Sequence, residues 1–196
     1  MLSAVVLISG GGSNLKAILE ATEAPTYPVK ILAVGADNDA DGLAHADRYG
    51  IPSFVVSPGN FENRAAWAEE LLASIKNFNP DLIILAGFMR ILPPNFVRAV
   101  SPRLINTHPS LLPLFPGAHA VHDAMAAGAA ETGVTIHIVD EGVDTGPIIS
   151  QVEVEVEPTD TEETLHERIK VVERDLIVTT VTAIARSQVN LEEIAR

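Results

Sequence analysis

Short apolar runs alternate with segments of helical period along the first 140 residues. "AVVLIS" (4–9) is continuous and β-branched, the pattern of a strand buried on both faces. A helix is expected from Ser13 or Asn14, turning Leu15, Ile18 and Leu19 inward. "VKILAVGA" (29–36) is a second strand, and "AHADRYG" closes a second helix with Gly50 at its C-terminal cap. "SFVV" (53–56) is a third strand. Residues 60–77 carry Phe61, Trp67, Leu71, Leu72 and Ile75 at helical spacing. "DLIILAG" (81–87) and "RLINTH" (103–108) supply a fourth and a fifth strand. Regular alternation of strand and helix predicts an α/β fold, a mostly parallel, twisted sheet with helices on both faces.

Past residue 130 the period changes. "GVTIHIVD" (133–140) predicts a half-exposed strand with Val134, Ile136 and Ile138 inward and Thr135, His137 and Val139 outward. "IISQVEVEVE" (148–157) alternates Val152, Val154 and Val156 with Glu153, Glu155 and Glu157, so antiparallel strands are expected at the C-terminal edge of the sheet. Asp160 and Glu163 form a capping pair for a long helix that buries Leu165, Ile169, Val172, Leu176 and Val181. No repeat or linker interrupts the chain, so residues 1–196 are expected to form a single domain.

Composition narrows the chemistry. The chain has no cysteine, which excludes disulfides, thiolate metal sites and a cysteine nucleophile, and it suits a reducing cytoplasm. With 26 acidic against 13 basic residues the formal charge is −13, which argues against a nucleic-acid partner. No apolar run is long enough for a membrane span, and small-molecule substrates are the expected partners. Monomer and homodimer both remain open.

"SGGGSNL" (9–15) joins the first strand to the first helix. Glycines let backbone N–H groups turn toward a ligand, and a helix N-terminus adds partial positive charge. Gly12, Ser13 and Asn14 are therefore candidates for binding a phosphate monoester, although a plain tight turn capped by Ser13 suits the same residues. The spacing matches neither a dinucleotide fingerprint nor a P-loop.

Asn106 and His108 share strand parity, and Pro109 fixes the backbone directly behind them. In a parallel sheet, ligands sit beyond the carboxyl ends of the strands, and both this pair and the glycine loop lie there. A carboxamide can donate to an oxygen that gains negative charge, and an imidazole can pass a proton. Asp144, within "DEGVDTGP" (140–147), is the candidate acid beside His108, while Asp140 and Glu141 read as solvated. The plainer readings are a turn histidine and an Asx-turn aspartate. His119 and His122 stand three apart at a helix start, His137 faces outward, and His45 and His166 read as surface residues. No spacing resembles a metal-ligand set, so no metal is expected.

"VLISGGGSNLKAIL", "LAGFMRIL", "INTHPSLLPLFPGAHAVHDA" and "GVTIHIVDEGVDTGPII" together resemble the phosphoribosylglycinamide formyltransferase family, in order from about residue 4 to residue 175. The resemblance implies a formyltransferase, Rossmann-like fold. It implies 10-formyltetrahydrofolate as a consumed co-substrate, and formyl transfer to the amine of glycinamide ribonucleotide in purine synthesis. It further implies a phosphate site at Gly12, Ser13 and Asn14, and a folate site at Arg64, Met89, Arg90, Ile91, Leu92 and Asn106. A ribotide contact at Glu173 and a catalytic trio of Asn106, His108 and Asp144 complete the set. Leu114 stands where some relatives carry lysine. Methionyl-tRNA formyltransferase shares the trio, but an added domain and a tRNA partner suit neither this length nor this charge. A formyltetrahydrofolate hydrolase and a non-catalytic binding module are the other readings to be tested.

Overall fold

The first strand, β1 (Leu2–Ile8), lies near the middle of a seven-stranded sheet and explains its layering. Ala4, Val6 and Ile8 enter one apolar cluster, Val5 and Leu7 another, and none of the five is exposed to solvent. A strand buried on both faces has to be apolar at every position, and β1 is from Ala4 to Ile8. The computed structural model describes residues 1–196.

Strand order is β3-β2-β1-β4-β5-β6-β7, with β2 (Val29–Ala36), β3 (Ser53–Val55), β4 (Leu82–Leu85), β5 (Leu104–His108), β6 (Glu131–Ile138) and β7 (Ile148–Glu155). β1 to β5 run parallel, and β6 and β7 are antiparallel, as the change of period after residue 130 predicts. On one face lie α1 (Ser13–Ala21), α2 (Leu43–Arg48), α5 (Ala120–Ala126) and α6 (Glu162–Ala185). On the other lie α3 (Arg64–Lys76) and α4 (Pro94–Val100). Leu15, Ile18 and Leu19 are wholly buried, and truncating any of them to alanine costs about 2–5 kcal/mol. On the opposite face, Trp67 donates its indole N–H to the Val56 carbonyl at 2.7 Å and stacks on Phe88.

Several elements depart from the sequence reading. The helix expected over 60–77 starts at Arg64, because the Asn63 side chain accepts the Ala66 N–H and caps it there, while Pro58–Asn60 form a 3₁₀ turn. α6 is capped one residue later than expected: Thr161 and Thr164 satisfy each other's backbone N–H groups. Asp160 instead accepts from the Glu157 N–H, the Thr164 hydroxyl and Arg168. α4 and the short α7 (Leu191–Ile194) have too little periodicity to be predicted. The largest difference is in β6, where residues 132–138 are all buried. β6 is an interior strand: α6 covers one face, and the segment after β5 folds over the face that carries Thr135 and His137.

Candidate active site

Asn106 and His108 project from β5 on the same face, opposite the side that faces α6, and both line a cavity of roughly 380 Å³. Thr107 points the other way and donates its hydroxyl to Glu173 on α6 at 2.8 Å. The pair therefore opens onto a face of the sheet near the carboxyl ends of β4 and β5, where residues 87–92 also line the cavity. Two loops make the remaining wall.

The first loop, 109–118, is bound down on β6. The Leu112 N–H donates to the Thr135 hydroxyl at 3.1 Å, which donates to the Ser110 carbonyl at 2.7 Å. The Gln151 amide of β7 donates to the Leu112 carbonyl at 2.8 Å. This positions the Phe115 carbonyl 2.9 Å from His108 Nε2. A carbonyl can only accept, so Nε2 carries hydrogen and the exchangeable site of His108 is Nδ1. His108 is 4% exposed, which leaves its ring little freedom to turn.

The second loop, 140–147, brings Asp144 to that site. Asp144 Oδ2 stands 3.4 Å from His108 Nδ1 and accepts the Gly117 N–H at 2.8 Å, joining the two loops. Asp144 adopts φ 54°, a left-handed conformation that costs an aspartate about 1–2 kcal/mol. The loop is shaped by Asp140, which accepts from the Gly142 N–H and the Thr145 hydroxyl. The Asx turn belongs to Asp140 rather than Asp144, and Asp140 is not merely solvated. Burial opposes ionisation of Asp144. A bond from His137, the Gly117 N–H and positive charge on His108 and His137 outweigh it and hold the carboxyl below the usual aspartate range.

His137 is the residue that the sequence reading missed. It is 2% exposed, not outward-facing, and it pairs directly with Asn106 across β5 and β6. Its Nδ1 contacts the Ile138 carbonyl at 3.0 Å, which assigns hydrogen to that nitrogen. Its Nε2 lies 3.2 Å from Asn106 Nδ2 and 3.6 Å from Asp144 Oδ1. A neutral ring accepts the Asn106 amide there, and a protonated one donates to Asp144. A polar residue at a strand position of the same parity as Thr135 was its only signal, and the pairing that makes it significant is absent from one-dimensional pattern.

Met89, Arg90, Ile91 and Leu92 line the same cavity, with Met89 and Ile91 exposed. Arg64 lies outside the cavity wall and donates to the Ile91 carbonyl, bracing that segment. Glu173 also lies outside, against Thr107.

At the end of β1, Gly12 has φ 68° and is itself the N-cap of α1, so Ser13 is the first helical residue and makes no side-chain cap. A Cβ on Gly12 would sit 3.1 Å from the Gly42 Cα, and one on Gly42 would sit 2.7 Å from the Gly10 carbonyl oxygen. Glycine is required at both positions. His45, expected at the surface, is half-buried with Nε2 3.1 Å from the Gly11 carbonyl. The first bond within α1 runs from the Lys16 N–H to the Gly12 carbonyl, leaving the amides of Ser13, Asn14 and Leu15 without helical partners. Asn14 is 5% exposed, yet its Oδ1 has no partner. Free N–H groups at a helix N-terminus suit a small oxyanion, whereas the Asn14 Oδ1, an acceptor, suits a donor such as a hydroxyl. No three His, Asp or Glu side chains stand close enough together to hold a metal ion, and no helix is long and apolar enough to cross a membrane.

Comparison with known proteins agrees with this geometry. The Formyl transferase family matches residues 2–181. A phosphoribosylglycinamide formyltransferase of Mycobacterium tuberculosis is 48% identical over 92% of this chain and 84% of its own length. The chain belongs to the phosphoribosylglycinamide formyltransferase family. The Escherichia coli member is 37% identical over 98% of this chain and 91% of that protein. The crystal structure of glycinamide ribonucleotide transformylase 1 from Symbiobacterium toebii superposes with a TM-score of 0.92, at 37% identity, over 95% of this chain and 89% of that one. Within the phosphoribosylglycinamide formyltransferase fold, Leu114 is 56% exposed and its side chain does not line the cavity. Its backbone carbonyl, which any residue would supply, accepts the Ser110 hydroxyl.

Proposed function

We propose that this chain transfers a formyl group from 10-formyltetrahydrofolate to the amine of 5-phosphoribosylglycinamide in purine synthesis, with Asn106, His108 and Asp144 as its catalytic residues. The observation that carries the assignment is the convergence of these three side chains, from two separate segments, on one cavity. In this reading residues 1–196 act as one formyltransferase domain, in the cytoplasm, on small-molecule substrates.

The amine nitrogen bonds to the formyl carbon, the formyl oxygen gains charge, and the bond from that carbon to the folate nitrogen breaks. The Asn106 amide donates to the charged oxygen, and His108 Nδ1 does so once it has gained a proton, each such donor contributing about 3–4 kcal/mol. His108 Nδ1 takes the proton that the amine loses and returns it to the departing nitrogen, leaving the ring as it began. Such proton transfer adds roughly 10²–10⁴ in rate. Asp144, kept ionised, stabilises the cationic ring and aims it. Met89, Arg90, Ile91 and Leu92 offer an apolar wall with backbone polar groups for the folate ring, and Arg64 steadies it. Gly12, Ser13 and Asn14 hold the ribotide phosphate. Glu173, with one oxygen engaged by Thr107, presents the other to the ribotide.

The test is folate release followed by absorbance, with and without the ribotide. Release that requires ribotide supports transfer, and equal release without it identifies a hydrolase. His108→Ala should fold and bind ribotide normally while losing at least 10²-fold in kcat. A variant that keeps more than about a tenth of the wild-type rate overturns the general acid–base role.

A further inference from the structure

Asp37 is 2% exposed, an uncommon location for an acid, and lies just beyond β2. Its Oδ2 accepts from Arg90 Nε at 2.5 Å, and its Oδ1 accepts from the Asn38 amide at 2.8 Å. β1 lies between β2 and β4 in the sheet, so the Asp37–Arg90 pair bridges the end of β1, where the glycine loop starts. Ser9, the first residue past β1, is bound from both sides. Asn38 donates to its carbonyl at 3.0 Å, and its hydroxyl accepts the Met89 N–H at 2.8 Å. Its own N–H donates to the Gly87 carbonyl at 3.1 Å. One compact network thus ties the base of the phosphate loop to residues 87–90, which wall the folate cavity. Neither Asp37 nor Ser9 lines that cavity.

We infer that Asp37 and Ser9 are positioning residues that couple the two substrate subsites, so that ribotide bound at the glycine loop tightens folate binding at Met89–Leu92. This rests on the proposed function and adds to it a device for ordering the two substrates. Met89 and Ile91 are 74% and 58% exposed, so their side chains lose rotamer freedom when folate covers them. A phosphate that fixes the glycine loop also fixes Ser9, and through Ser9 and Asp37 the backbone of Met89 and the side chain of Arg90. Folate then meets a wall already in place, and the ordering cost falls. Arg90 also neutralises the buried Asp37 carboxylate, which would otherwise repel the phosphate from beside the loop.

Titration calorimetry with tetrahydrofolate, which carries no formyl group to transfer, measures the coupling directly. Its Kd is compared with and without saturating 5-phosphoribosylglycinamide in the wild type, Asp37→Ala, Asp37→Asn and Ser9→Ala. The wild-type ratio should be at least about fivefold, the lower range of allosteric coupling. Asp37→Ala and Ser9→Ala should each bring it within about twofold of unity, with Asp37→Asn between. Ribotide should slow hydrogen exchange at the Met89–Leu92 amides in the wild type and not in these variants. A purely structural role would weaken affinity and leave the ratio unchanged. A wild-type ratio of one, or variants with the wild-type ratio, overturns the coupling while formyl transfer stands. Absence of binding of either substrate overturns the proposed function instead. Should Asp37→Ala not fold, Asp37→Asn and Ser9→Ala decide the question alone.

Discussion

Replacing Asp144 with asparagine separates charge from shape. The new amide oxygen can still accept the Gly117 N–H that the carboxylate accepts at 2.8 Å, so the loop geometry survives. What is lost is a negative charge 3.4 Å from His108 Nδ1 and 3.6 Å from His137 Nε2. Two unit charges at that separation attract by about 4–5 kcal/mol at an effective dielectric of about 20. Desolvation offsets several kcal/mol of this, because the aspartate side chain is 14% exposed. A net loss of about 1–3 kcal/mol in the step where His108 becomes cationic slows kcat by roughly 5- to 150-fold. Single-turnover formyl transfer at saturating substrates measures it, and a loss under about threefold would refute the electrostatic role. Stability gives a second reading. The folded carboxyl is held below its ordinary value, so its contribution is fully present above the unfolded aspartate pKa. That contribution is lost as pH falls through the lower, folded value. Wild-type stability should therefore drop more steeply than that of Asp144→Asn below about pH 4, by up to about 1.4 kcal/mol per pH unit for one proton. Parallel melting profiles from pH 3 to 6 would count against the pairing of Asp144 with the two imidazoles.

Two further substitutions test the rest of the site. His137→Phe fills the same buried space but leaves the Asn106 amide without its partner, which should lower kcat by about tenfold or more with ribotide KM unchanged. A steady-state pair of kcat and KM values checks this, and an effect confined to KM would place His137 in binding instead. Ser13→Ala and Asn14→Ala each remove a side chain at the N-terminus of α1 and should raise ribotide KM by roughly 10-fold or more, the scale of one hydrogen bond to a charged group. Inhibition by inorganic phosphate should weaken in parallel, and unchanged phosphate inhibition would remove the glycine loop from the phosphate site.

The parallel half of the fold was legible because burial on both faces leaves a strand no polar position, and β1 and β4 show none between Ala4 and Ile8 or between Leu82 and Leu85. Helix starts were less legible. The caps at Asn63 and Thr161 each lie one to three residues from the apolar pattern that suggested the helices, and apolar period says nothing about which hydroxyl or amide closes the first turn. β6 was misread for a different reason. Its polar residues Thr135 and His137 suggested a solvated face, but both are buried, and Thr135 is bonded to the loop that covers it. In the site, Asn106 and His108 were accessible to local reasoning because strand parity alone places them together. Asp37 was not, since its partner Arg90 is remote in sequence and meets it only because β1 separates β2 from β4 in the sheet.

The antiparallel β6 explains why an acid so far along the chain reaches His108. In an antiparallel pair, residues directly opposite each other project to the same face at short range. The register that sets Thr135 against His108 therefore sets His137 against Asn106 on the cavity side. Here β6 passes into β7 by the loop 139–147 alone, and β7 resumes pairing at Ile148 opposite His137. Both ends of that loop are thus fixed beside the cavity, and its middle has little choice but to lie over β5 and β6. The Gly117 N–H selects which residue points inward, and the residue it selects is Asp144. The acid's position follows from one strand reversal and one hydrogen bond, which is why shortening the 140–147 loop should abolish activity even with every catalytic side chain retained.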